Sequence, residues 1–194
     1  MLSLKERLEL LERDAAGSPP GFVIHRDLPF AILRYDPDEE WEARRQAGLL
    51  ATRLKSAGRS VRRVSLADLL WDAIEQSEGL EAVVELEREM GFAAAQEQVT
   101  SYLSDPDWAP LSDLLVDQVS GLHPDRDLVF LERAAALAPH LYQVSALLDR
   151  MKGRMDVPTV LFYPGALEGT TGLRFMDVPL RGAPLGNYRV KIYG

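Results

Sequence analysis

Residues 28–40 are LPFAILRYDPDEE, and this stretch sets the fold class. Its apolar run ends in a carboxylate, which is typical of a strand buried in a parallel sheet rather than of an alternating edge strand. Asp36 can cap the next helix, with Pro37 at the first helical position and Glu39 at the third. We therefore predict a strand, a tight turn and a helix in succession, the first half of a βαβ unit.

Predicted helices and strands continue to follow one another along the chain. An amphipathic helix is predicted at about 3–16, and Pro139 is predicted to open a helix that ends at Gly153. Further strands are predicted at 60–66, 127–133 and 158–165, with two weaker edge strands at 172–176 and 188–193. Strands separated by helices predict an α/β, three-layer fold with a mostly parallel sheet of about 4–6 strands and helices on both faces.

The connection between the second and third strands is unusually long. It covers 66–126 and has helical periodicity near 67–76, 79–90, 92–103 and 108–120. An ordinary crossover needs one helix of about a dozen residues, so we predict a helical insertion on the sheet. We expect 1–194 to be a single α/β domain. Its subdivisions are an N-terminal helical arm at 1–20, the insertion at 66–126, and a C-terminal strand and basic tail at 157–194.

Composition narrows the possible functions. The 194 residues are 46% hydrophobic and 27% charged, which is the globular range. The chain has no cysteine, which excludes disulfides, thiolate nucleophiles and thiolate metal sites. No apolar run approaches the roughly 20 residues of a membrane-spanning helix, and the N-terminus is too charged for a secretory signal. We therefore expect a cytoplasmic protein without a membrane partner.

Charge is unevenly distributed along the chain. The net charge is −8, although residues 151–194 carry six basic and three acidic side chains. A basic tail on an acidic body favours docking onto an acidic protein surface or a minor nucleic-acid contact. The alternative that these charged residues are only solvated and bind no partner also stays open. The overall negative charge argues against a duplex-DNA binder.

The stretch VPTVLFYPGALEGTTGL at 157–173 raises the question of a phosphate site. Gly165, Gly169 and Gly172 could let the backbone curl around a phosphate. The stretch lacks the Lys and following Ser or Thr that a triphosphate-binding loop needs, and Glu168 would repel phosphates. It also leads toward a strand instead of opening a helix. We expect turn-forming glycines here and assign no cofactor.

No catalytic or metal set is assigned either. Ligands in open α/β sheets gather at the carboxyl ends of the strands, here Asp36, Ser65, Glu132 and the loop at 163–172. Asp36 and Glu132 are the pair that could converge for acid–base work. They leave open an alternative function, a nucleotide- or nucleic-acid-processing enzyme. The histidines, His25, His123 and His140, lack metal-ligand spacing.

Aromatic and basic side chains in the C-terminal segment indicate a binding surface. Tyr, Trp and Arg are enriched at interaction hot spots, although Tyr163 could equally close the core. Direct DNA contact through Arg174, Arg181, Arg189 and Lys191 is a weaker possibility and is not favoured. The candidate partner-binding residues are Tyr163, Pro164, Gly165, Arg174, Arg181, Tyr188, Arg189 and Lys191.

The C-terminal motifs also resemble a known family. VPTVLFYPG, the glycine turn, LRF and GNYRVKIYG are similar to the end of the BrxB family of bacteriophage exclusion (BREX) defence systems, and the Tyr-Asp-Pro after the first strand agrees. The turn ERAAALAP departs from the family, which tends to have a glycine there. Residues matching the C-terminal motif are Leu161, Phe162, Tyr163, Pro164, Gly165, Gly169, Asn187, Tyr188 and Arg189. Structural roles are expected for Asp36, Pro37, Gly169, Gly172 and Asn187.

The resemblance implies a small non-enzymatic component encoded beside a large ATPase, a DNA methyltransferase and the alkaline-phosphatase-like protein PglZ. Family members look like partner proteins of PglZ. We therefore expect an adaptor that binds a PglZ-like protein, with other BREX components as further partners.

Overall fold

Parallel strands form the centre of the molecule. The computed structural model describes residues 2–23, 29–138, 141–168, 172–176 and 190–194. The helices are α1 (Leu4–Ala15), α2 (Glu40–Ser56), α3 (Leu66–Gln76), α4 (Gly79–Met90), α5 (Phe92–Ser104), α6 (Leu111–Val119) and α7 (Val144–Met151). The strands are β1 (Phe30–Tyr35), β2 (Ser60–Ser65), β3 (Asp127–Glu132), β4 (Thr159–Glu168), β5 (Gly172–Phe175) and β6 (Lys191–Tyr193).

Five of these strands form one parallel sheet in the order β2-β3-β4-β1-β6. The remaining strand, β5, pairs antiparallel with β4. β1 and β4 lie in the interior of the sheet, and their apolar runs are buried on both faces as the pattern predicts. The mostly parallel sheet predicted from the sequence is therefore confirmed.

Helices cover both faces of this sheet. On one face α1 and α2 contribute Leu11 and Leu50, which pack with Leu33 of β1 and Phe162 of β4. The opposite face is covered by α3, α5, α6 and α7, whose apolar side chains pack on Ile32, Leu131 and Leu161. These two hydrophobic clusters confirm the three-layer architecture.

Local signals set most element boundaries. Ser3 and Glu6 form a capping box: the Glu6 backbone N–H donates to the Ser3 hydroxyl at 3.3 Å, and the Glu6 carboxylate accepts from the Ser3 backbone N–H at 2.8 Å. The helix predicted at 3–16 is confirmed as α1. Similarly, the Ser65 hydroxyl accepts from the Asp68 backbone N–H at 3.1 Å and caps α3.

The helical insertion between β2 and β3 contains α3, α4, α5 and α6 in the predicted order. Tyr102 of α5 is one of its buried anchors. Its hydroxyl donates to the carboxylate of Glu78, and its ring meets Trp108 edge-on at 5.0 Å. Burial and the Glu78 hydrogen bond raise the pKa of Tyr102 to about 12, so this phenol stays a hydrogen-bond donor.

The capping pattern predicted for Asp36, Pro37 and Glu39 is confirmed, but the first turn is a 3₁₀ turn, Pro37–Glu39, and α2 itself begins at Glu40. The start predicted for the last helix is wrong. The helix predicted from Pro139 begins at Val144, and Pro139 itself lies outside the described residues. Gln143 caps that helix because its backbone carbonyl accepts from the N–H of Ala146 at 2.9 Å. Within the described part of the chain, no helix combines the length and the apolar character needed to cross a membrane.

Candidate partner-binding site at the carboxyl edge of the sheet

The carboxyl ends of β1, β2, β3 and β4 meet at one edge of the sheet, because these strands are parallel. β4 does not end there. It continues to Glu168 and pairs with β5 in the register Gly165 with Phe175 and Leu167 with Leu173. The prediction that the strand ends at 165 and opens a loop is therefore wrong. Residues 163–168 continue β4 beyond its pairing with β1 and form one strand of a β-hairpin with β5.

Gly165 allows this hairpin to form. A β-carbon at residue 165 would lie 2.1 Å from the backbone carbonyl oxygen of Arg174, far inside van der Waals contact. The backbone N–H of Met176 also donates to the carbonyl oxygen of Pro164 at 3.0 Å. The glycine therefore serves the close approach of two backbones, which agrees with the expected structural role of the glycines in this stretch.

Three candidate binding residues are buried at the base of the hairpin. The Tyr163 ring packs on Phe175 with centroids 5.3 Å apart, and Pro164 and Gly165 are also closed off from solvent. Of the two roles left open for Tyr163, this packing supports closing the core. Residues 163–165 position the hairpin and offer no exposed side chain to a partner.

Arg34 is an unexpected charged residue in this region. It lies inside the apolar run of β1, opposite Tyr163, and is only 2% exposed. Its guanidinium donates to the Asp36 carboxylate at 2.5 Å. Asp36 in turn donates its backbone N–H to Glu39 at 3.2 Å, as the capping pattern predicts. Sequence reasoning missed Arg34, although a basic residue in a buried strand must find an anionic partner.

Glu132 is bonded by its own arginine. Arg63 of β2 donates to both carboxylate oxygens of Glu132 at 2.5 and 2.7 Å, and Glu132 is buried. The Glu132 hydrogen bonds raise the pKa of Arg63, so this cation is permanent. β4 separates the strands that carry Asp36 and Glu132. Each of the two carboxylates is bonded to a guanidinium of its own.

Ser65 and Arg133 are two further polar residues at the carboxyl ends of β2 and β3. Arg133 donates to the Ser65 hydroxyl at 3.3 Å and to the Asp68 carboxylate at 2.8 Å. These bonds and the helix cap use the Ser65 hydroxyl. Arg133 has φ of +60°, a left-handed conformation that favours glycine. An arginine therefore adopts this conformation at the turn that follows β3.

An exposed aromatic residue lies at the same edge. The Tyr35 hydroxyl donates to the carboxylate of Glu40 at the start of α2, and burial raises the pKa of Tyr35. The next residue, Trp41, is 78% exposed. The Arg44 guanidinium carbon lies 4.9 Å from its ring centroid. The exposure of Trp41 was not predicted, because helical periodicity alone does not show whether a tryptophan faces solvent or the core.

The C-terminal strand is attached beside this edge. β6 pairs parallel with β1, and the side chains of Lys191 and Tyr193 both bond the Asp14 carboxylate at 2.6 Å. Burial alone would raise the pKa of Asp14, but the hydrogen bonds from Lys191 and Tyr193 outweigh it and lower that pKa. Lys191 is therefore engaged with α1.

The remaining candidates are distributed as follows. Arg174 is half-buried on β5, and Gly172 is the first residue of that strand, where it pairs with Glu168. In the described ranges no group of three or more His, Asp or Glu side chains could hold a metal ion. Gly169, Arg181, Asn187, Tyr188 and Arg189 lie outside the described residues.

The fold and this edge define a three-layer α/β protein that carries a β-hairpin and two arginine–carboxylate pairs at the carboxyl end of its sheet. A family model described as BREX protein BrxB matches residues 62–189. The chain belongs to the BrxB family and is a component of a BREX defence system. A BREX protein BrxB from Bacillus cereus (strain H3081.97) is 23% identical over 159 residues, which is 80% of each chain. No solved structure matches this chain.

Proposed function

We propose that this chain is a non-enzymatic adaptor of the BREX system that binds a PglZ-like phosphatase-family partner. The observation that carries the proposal is the β4–β5 hairpin. It continues β4 past the carboxyl end of the sheet, the side on which α/β proteins ordinarily hold a substrate or a nucleotide. A sheet that carries a strand pair of its own on this side is better suited to holding a partner than to turnover.

The polar groups at this edge support the same function. Arg34 with Asp36, and Arg63 with Glu132, form ion pairs that rigidify the ends of β1 and β3. Charges arranged in this way stabilise the edge as a platform. They also weigh against the alternative enzyme function, because both carboxylates considered for acid–base work are already bonded.

Trp41 is the best-placed contact residue on the platform. It is exposed at the start of α2, which follows β1, and Arg44 stacks on it. Tryptophan and arginine are the side chains most often found at interaction hot spots. The C-terminal candidates Arg174, Arg181, Tyr188, Arg189 and Lys191 remain in the proposal as the sequence predicts them. The structure describes two of them, Arg174 on β5 and Lys191, which is bonded to Asp14.

Gel filtration of this chain with the PglZ-like protein encoded beside it tests the proposal. We expect the two proteins to co-elute in moderate salt. The Trp41→Ala variant should weaken the complex by about 10-fold or more, as hot-spot truncations do. Leu49→Ala, an exposed position on the same helix, serves as the matched control and should bind like wild type. Two separate peaks at every protein concentration would refute the adaptor function.

A further inference from the structure

Helices α4 and α5 of the insertion form a hairpin that is connected by Gly91 alone. Gly91 has φ of +88°, a conformation that glycine adopts without steric cost. It ends α4 and caps α5, because its carbonyl oxygen accepts from the N–H of Ala95 at 3.3 Å. Met90, Gly91 and Phe92 therefore form the end of the hairpin, here called the α4–α5 tip.

The apolar faces of both helices continue past the core at this tip. On α4, Val83, Leu86 and Met90 follow helical spacing; Val83 packs against the core, and Met90 is 70% exposed. On α5, Ala95 and Val99 are buried, and Phe92, which precedes them on the same face, is 68% exposed. The fold covers each apolar stripe at its base and leaves it open at the tip.

Most of the exposed charged residues near these two apolar residues in the sequence are acidic. Glu85, Glu87 and Glu89 on α4 are exposed, as is Glu97 on α5. Residues 79–104 contain five acidic residues and one basic residue. An apolar centre with a polar rim is the usual composition of a protein–protein interface, in which methionine and aromatic residues are enriched. The acidic rim requires a partner whose matching rim is basic.

We infer that the α4–α5 tip docks into an apolar pocket bordered by lysine or arginine on a protein partner. The inference rests on the proposed function, since the partner is the PglZ-like protein, which the adaptor then grips at a second place besides the carboxyl edge. A second copy of this chain fits less well, because pairing two tips would bring their glutamates together.

The test is a binding titration of the PglZ-like protein with wild type, Met90→Ser/Phe92→Ser and Glu87→Lys/Glu89→Lys. All substituted side chains are exposed, so melting temperatures should stay within about 2 °C of wild type. We expect the apolar double variant to raise Kd at least about 10-fold. The charge reversal should also raise Kd, and added salt should weaken wild-type binding. Leu49→Ser is the control at an exposed apolar position outside the insertion.

The outcomes separate the two proposals. If wild type binds and both tip variants bind equally well, the tip inference fails and the adaptor function stands. If wild type does not bind, both fail. If the chain alone forms a dimer that Met90→Ser/Phe92→Ser dissociates, the tip is a self-association surface and the inference is overturned.

Discussion

The backbone carbonyl oxygen of Arg174 lies 2.1 Å from the position that a β-carbon on residue 165 would occupy. Residue 165 must therefore be glycine for β4 and β5 to pair. This contact lets β4 continue into the hairpin, the feature on which the proposed adaptor function rests, so one residue identity is linked to that proposal.

Gly165→Ala should destabilise the protein strongly. The new methyl group meets backbone atoms that cannot move without separating β5 from β4, and overpacking of this kind costs about 1–3 kcal/mol or more. Thermal denaturation measures the effect. Gly21→Ala is the control, since a β-carbon there would make only ordinary contacts of 3.6 Å or more. Equal melting temperatures for the two variants would contradict the close approach.

Removing Arg63 should leave the buried Glu132 carboxylate without its guanidinium. We expect Arg63→Met to lower the free energy of unfolding by about 2–3 kcal/mol, less than a fully buried pair because Arg63 is partly exposed. Arg62→Met, the exposed neighbour on the same strand, should change it by less than about 0.5 kcal/mol. Chemical denaturation of both variants makes the comparison; a smaller effect at Arg63 than at Arg62 would argue against the ion pair.

The bonds from Lys191 and Tyr193 to Asp14 should make stability depend on pH. The folded pKa of Asp14 lies below its ordinary value of 3.8, so the stabilisation is present above that value and is lost as pH falls through the folded pKa. Asp14→Asn should therefore cost about 1.5–3 kcal/mol at pH 7, and the gap should narrow below about pH 4.

The matched control for Asp14 is Glu9→Gln on the same helix. Glu9 pairs with Lys5 in solvent, and such exposed pairs contribute little. Urea denaturation across the pH range would record both differences. A gap between wild type and Asp14→Asn that widens in acid would contradict the assigned hydrogen bonds.

Arg133 offers a test of backbone strain. Both Arg133→Ala and Arg133→Gly lose the bonds to Ser65 and Asp68, but only glycine relieves the left-handed conformation, which costs other residues about 1–2 kcal/mol. We expect the glycine variant to be the more stable of the two by about 1 kcal/mol, after the larger entropy of unfolded glycine is included. Thermal unfolding that ranks alanine above glycine would contradict the φ value.

Local sequence patterns predicted most elements because their causes are local. The Ser3–Glu6 box fixed the start of α1, and the long periodic stretch before Asp127 predicted the four helices of the insertion. The strand order depends on contacts between distant segments, such as β6 beside β1, and has no local signal.

The site was less predictable for the same reason. Gly165 looked like the start of a loop because the backbone that approaches it, at Arg174, is contributed by another strand. Arg63 could not be paired with Glu132 until the register of β2 against β3 was known. Arg34 lies only two residues before Asp36, but the sequence does not show that the two side chains turn toward each other. The exposure of Trp41, Met90 and Phe92 likewise depends on where the helices pack.

Sedimentation velocity of this chain mixed with the neighbouring PglZ-like protein tests the adaptor function most directly. The proposal predicts one faster boundary that contains both proteins at a fixed ratio and persists on dilution to micromolar concentration. Two boundaries that sediment independently at every ratio would contradict it.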